Sequence, residues 1–242
     1  MASQTEILRL LRLVSPYKSS TDKVRLGSNG DGGYVLNDDL AGLEGAFSLG
    51  IGQEVSFDLA LARLGFPVFQ YDPTVNGPPV DHPLFLFRKI GWASKNGPET
   101  RSLIGMLEEN NLTNSNNLLL KFDVEGAEWH ALKGMSEREF GRWRIIVAEF
   151  HWFQQLNNPE FFKTAQEVFE LLTTRHIVTH IHPNNNAGLT FLEGVVVPNV
   201  LEVTFLRRDR GTFVPSRDPI PSSLDYPNAA ERPDIILNAF HR

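Results

Sequence analysis

The chain has 242 residues, a formal net charge of -6 and no cysteine, which excludes disulfide scaffolds, thiolate metal sites, iron–sulfur clusters and cysteine nucleophiles. At 41% hydrophobic and 21% charged residues it can bury an ordinary core, and wholesale disorder is excluded. The acidic balance, with no Lys/Arg run to offset it, argues against nucleic acid as a partner.

Glu6, Arg9 and Arg12 interrupt the first residues, so no signal-peptide core is expected. No stretch approaches 18 uncharged apolar residues, so no membrane span is expected either. The chain is therefore expected in the cytoplasm. Residues 5–14 place Ile7, Leu8, Leu11 and Val14 at helical spacing, and Pro16 ends the run. Residues 24–26 and 34–36 flank a Gly/Asn/Asp cluster at 27–33, which predicts a hairpin.

From residue 45 strands and helices alternate. Strands are predicted at 46–49, 66–71, 85–90, 117–122, 144–150, 177–182 and 200–207. Helices are predicted at 54–64, 99–110, 127–134 and 159–175. The runs Asn117–Phe122 and Arg144–Phe150 are almost continuously apolar, as in strands covered on both faces. The reading is an α/β fold: one doubly wound, mainly parallel seven-stranded sheet with helices on both faces. An antiparallel edge is expected, because no clear helix joins the last two strands. One domain spans 1–242, with an N-terminal helix and hairpin (1–44), a core (45–210) and an extended, proline-rich tail (211–242).

Ligands of such sheets sit beyond the carboxyl ends of the strands. The first such end is Ser48-Leu-Gly50-Ile51-Gly52, where glycines permit close backbone approach. The second carries Asp72, 22 residues after Gly50, a spacing suited to a carboxylate that accepts a ribose diol. Position 55 is valine, so the third glycine of the dinucleotide fingerprint is missing. An adenosyl cofactor without a pyrophosphate suits this better than NAD(P).

The fourth strand ends in Lys121-Phe-Asp123-Val124-Glu125-Gly-Ala-Glu128. Asp123 could bind an amino group, act as a base, hold a metal, or cap a helix. On the fifth strand Glu149 and His151 share a face and make a candidate general-base pair, with Trp152 and Phe153 as an aromatic wall. On the sixth, His180 and His182 share a face. With Asp123 and Glu149 they could form a divalent-metal site. A hydrogen-bonding pocket for a polyhydroxylated substrate, built from His182, Asn184 and Asn185, is the preferred reading, so no metal is expected. His82, His130, His176 and His241 read as ordinary surface or packed residues.

The runs Ser48–Gly52, Tyr71-Asp72-Pro73 and above all Lys121–Glu128, followed by Ala148-Glu-Phe-His151, resemble the FkbM-type family of S-adenosylmethionine-dependent methyltransferases. The likeness extends from about Val24 to Arg207. It implies a class I, Rossmann-like methyltransferase sheet and O-methylation of a hydroxyl on a sugar, glycan or natural product. It maps the cofactor onto Gly50, Gly52, Asp72 and Asp123, with Ile51 and Val124 beside them. Gly32, Gly33 and Tyr34 either fold over the cofactor or form a plain turn. Glu149, His151 and His182 are the candidate bases. Three other readings share the pattern: an NAD(P)-dependent oxidoreductase, a non-enzymatic glycan-binding domain and a metal-dependent hydrolase.

Overall fold

The computed structural model describes residues 2–237. Its seven-stranded sheet comprises β1 (Gly45–Leu49), β2 (Val68–Tyr71), β3 (Phe85–Arg88), β4 (Leu118–Phe122), β5 (Trp143–Phe150), β6 (His176–Pro183) and β7 (Leu201–Arg207). The spatial order is β6-β7-β5-β4-β1-β2-β3. The block from β3 to β5 is parallel. β7 runs antiparallel to both of its neighbours. The antiparallel strand thus lies one place in from the edge, between β5 and β6. The helices are α1 (Gln4–Leu13), α2 (Ser56–Arg63), α3 (Leu103–Glu109), α4 (Glu128–Leu132), α5 (Glu137–Phe140) and α6 (Pro159–Arg175).

The two-residue period of the strands sorts their side chains onto two cores. Phe47, Leu118, Leu120, Phe122, Ile146, Ala148 and Phe150 face one core, which α1, α4 and α6 cover. Ala46, Leu119, Ile145 and Val147 face the other, under α2 and the N-terminal hairpin. Both faces are apolar, hence the unbroken hydrophobic runs of β4 and β5. Helix starts follow local capping. Ser3 and Glu6 form a capping box on α1. Asn158 accepts from the amides of Glu160 and Phe161, and Pro159 occupies the first turn of α6.

The predicted hairpin is present, Lys23–Leu26 against Tyr34–Asn37. Three further pairings left no periodic signal in the sequence, one of them Gly91–Trp92 with Thr100–Arg101, which takes the start of the helix expected at 99–110. Tyr17–Ser19 pairs with Phe213–Pro215. Leu189–Leu192 pairs with Val195–Pro198, inside the connection from β6 to β7. The tail lies over the carboxyl end of β6 and the amino end of β7 as far as Leu237. Residues 238–242, with His241, lie outside the described residues.

Candidate functional site

A cavity of about 620 Å³ opens at the carboxyl ends of β1, β2 and β4. Its floor is the turn after β1. Gly50 has φ +75°, and a Cβ there would lie 1.7 Å from the carbonyl oxygen of Asp123, so β1 and β4 can close together only over a glycine. Gly52 has φ +49°, and a Cβ there would project into open space. The turn is held by Asp72. Its Oδ2 accepts from the amides of Ile51 and Gly52, each at 2.9 Å. Its Oδ1 accepts from the Thr74 amide at 2.7 Å and the Thr74 hydroxyl at 2.5 Å. Burial works against the charged carboxylate, but these hydrogen bonds outweigh it and lower its pKa. With each oxygen already accepting two donors, Asp72 braces the loop here, and a ribose diol has to displace some of them.

Gly32 and Tyr34 of the hairpin line the same cavity, as do Asp123, Val124 and Glu125. Gly33 lies behind the wall, where a Cβ would meet the carbonyl oxygen of Ser28 at 2.0 Å. Lys121, Trp92 and Glu99 also line the cavity and were missed in the sequence. Lys121 left a signal, a lone cation in an apolar strand. Its ammonium donates to the carbonyl of Gly50 at 2.6 Å and sits 6.0 Å from the centroid of the Tyr34 ring. Among the described residues it is the single cation on a wall that also carries Asp31, Glu54, Asp58, Asp72, Glu99, Asp123 and Glu125.

The ends of β4 and β5 are tied together by Glu128, which is fully buried. Its carboxylate accepts from the amides of Gly126 and His151, each at 2.8 Å, and lies 3.3 Å from His151 Nδ1. The other imidazole nitrogen, Nε2, is 3.4 Å from Glu125 and 3.7 Å from Asp123. Burial lowers the His151 pKa, but the Glu128 hydrogen bond and the surrounding carboxylates raise it overall.

The other two candidate bases stand apart from the cavity wall. Glu149 is buried and accepts from Asn184 Nδ2 at 2.7 Å. Burial, then the charges of Asp123 and Glu202, push its pKa well up. His182 lies between Glu202 and Asp234, 3.2 Å from each. His180 pairs with Asp225 at 2.8 Å. The amide of Asn185 donates to carbonyls of Ala229, Arg232 and Pro233. The polar pocket expected from His182, Asn184 and Asn185 is thus filled by the protein's own tail and by Glu149. The aromatic wall is corrected as well. Trp152 takes φ +69°, which turns Phe153 into the core against Trp129 and Phe169.

Among the described residues, the ligand atoms that converge closely enough for one ion belong to Asp123, Glu125 and His151, all within 4.8 Å of one another. Glu149, His180 and His182 do not join Asp123 there. Distance corrects that grouping, because each of the three is engaged by a partner of its own.

A family model described as Methyltransferase FkbM domain matches residues 48–177, more than half of the chain. A search of curated proteins finds no match. The fold is also similar to the crystal structure of a mutant 16S rRNA (adenine(1408)-N(1))-methyltransferase from Catenulisporales acidiphilia. That likeness covers 76% of this chain and 97% of the other at 10% identity, with a TM-score of 0.36.

Proposed function

The chain belongs to the FkbM methyltransferase domain family, and on that premise we propose that it transfers a methyl group from S-adenosylmethionine to a hydroxyl of a sugar, glycan or natural-product acceptor. The observation that supports the cofactor is the chemistry of the cavity wall. Its carboxylates outnumber Lys121, the one cation among the described lining residues. Such a wall favours a sulfonium and an ammonium and opposes a pyrophosphate, so it speaks for S-adenosylmethionine over NAD(P). The bare backbone at Gly52 leaves room for a ligand to approach the loop.

When bound, S-adenosylmethionine supplies an electrophilic methyl on a good leaving group. The protein then has mainly to align the acceptor and manage its proton. Gly50 and Gly52 shape the floor, Asp72 keeps the loop rigid, and Asp123 faces the cavity from β4. Of the three candidate bases, His151 reaches the wall through Asp123 and Glu125. Glu149 and His182 serve behind it. The acceptor is therefore assigned to the corner between the ends of β4 and β5.

Calorimetry with S-adenosylmethionine, S-adenosylhomocysteine, NADH and NADPH tests the cofactor. Uptake of the first two alone is expected, and uptake of a nicotinamide cofactor instead would replace the proposal with an oxidoreductase. Labelled methyl transfer into a panel of sugars and hydroxylated natural products tests the acceptor class. Glycan binding with no cofactor uptake would make the protein a binding module.

A further inference from the structure

We propose that Asp123, Glu125 and His151 hold a divalent transition-metal ion at the acceptor corner of the cavity. The inference rests on the reading of that corner as the acceptor end. His151 is held at this corner with one ring nitrogen facing the carboxylates of Asp123 and Glu125. The residue is 6% exposed, and its Nε2 is aimed at two carboxylates without closing a hydrogen bond on either. The gaps of 3.4 and 3.7 Å exceed the roughly 2.7–2.9 Å of a charge-assisted hydrogen bond. They lie close to the about 3.4 Å that separates ligand atoms around a tetrahedral ion with bonds near 2.1 Å.

The imidazole is also supported from behind. Glu128, fully buried, sits 3.3 Å from Nδ1 and also accepts the His151 backbone amide at 2.8 Å. A carboxylate on the far nitrogen fixes ring and tautomer and leaves the near nitrogen's lone pair free, as in metal-binding histidines generally. The donor set is one imidazole and two carboxylates. It suits Mn²⁺, Fe²⁺ or Zn²⁺ better than the all-oxygen shells preferred by Mg²⁺ and Ca²⁺.

Three protein ligands leave coordination positions open. They face the cavity, because Asp123 and Glu125 line it. An acceptor hydroxyl in an open position would be fixed for in-line attack and made more acidic, as metal-bound water is. Its proton would leave to solvent beside Glu125, whose side chain is 89% exposed. In this state His151 is a ligand, and the ion takes over the activation otherwise left to the imidazole.

The test uses the full chain, stripped with chelator and titrated with Mn²⁺, free ion being read by electron paramagnetic resonance. One Mn²⁺ per chain is expected, displaced by Zn²⁺. His151→Gln, Asp123→Asn and Glu125→Gln should each weaken binding by roughly tenfold or more. The exposed Glu125→Gln change separates loss of a ligand from loss of fold. No uptake up to about 1 mM, or equal affinity in wild type and Glu125→Gln, would overturn the site. S-adenosylhomocysteine calorimetry on the same samples reads the methyltransferase assignment separately. Metal uptake without cofactor uptake would sink that assignment and leave the site, and the converse would sink the site alone.

Discussion

His182 Nε2 stands 3.2 Å from both carboxylate oxygens of Asp234, a residue 52 positions further along the chain. Glu202 of β7 holds the opposite nitrogen, Nδ1, at 3.2 Å. One imidazole therefore pins the tail to the sheet. Two more contacts repeat the arrangement: His180 with Asp225, and Asn228 with Glu202 at 2.6 Å.

This clamp makes stability fall in alkali. Burial alone would lower the His182 pKa, but the Glu202 hydrogen bond and the charges of Glu202, Asp225 and Asp234 raise it to about 9. A histidine raised above its unfolded value of about 6.5 contributes fully below that pH. The contribution is lost as pH rises through about 9. Melting temperature should drop between neutral pH and about pH 9.5, and Asp234→Asn should remove part of that drop. An identical pH slope in wild type and variant would contradict the clamp.

A second histidine works in the other direction. Burial depresses His176 to about 4, against the weaker pull of its hydrogen bond to the Trp143 carbonyl. The unfolded chain binds this proton more readily, so the destabilisation begins below about pH 6.5. It is complete only near pH 4. Calorimetric melts of His176→Phe should lose less stability between neutral and mildly acidic pH than those of wild type.

The two glycines of the β1 turn should separate by phenotype. Gly50→Ala puts a methyl into the Asp123 carbonyl at φ +75° and forces β1 from β4. A cost of about 2–3 kcal/mol is expected, together with lost cofactor binding. Gly52→Ala meets no atom within 4 Å, so its cost is mainly the left-handed backbone, about 1 kcal/mol. Its methyl enters the cavity, so cofactor affinity should fall while the melting temperature stays within a few degrees. Denaturant titration paired with calorimetry reads both quantities.

Glu128→Ala should be among the most damaging single changes. It strands the amides of Gly126 and His151 without an acceptor and releases the His151 ring. A loss on the order of 3 kcal/mol is expected in denaturant titration. A change below about 1 kcal/mol would show that water replaces the carboxylate without difficulty.

Much of the scaffold was legible along the chain because its causes are local. The bounds of α6 follow from Asn158, Pro159 and the amphipathic run after them. β4 and β5 follow from apolar stretches that only a strand buried on two faces accommodates. Gly50, Gly52 and Asp72 group into one candidate site in the sequence because strand, glycine loop, helix, strand and acid succeed each other at short range, whereas the bonds from the Ile51 and Gly52 amides to Asp72 left no such signal.

By itself, then, the sequence determined the alternation of elements, the two-sided core and the position of the glycine loop. Each depends on periodicity or on residues a few positions apart. The tertiary structure alone decided that the tail occupies His180, His182 and Asn185, that β7 enters between β5 and β6, and that Glu125 with His151 closes on Asp123. Apart from Asp123 and Glu125, those partners lie tens of residues apart and carry no spacing rule. Which distant groups meet depends on the loop-closure entropy, burial and charge of the whole folded chain, and a linear pattern does not record that sum.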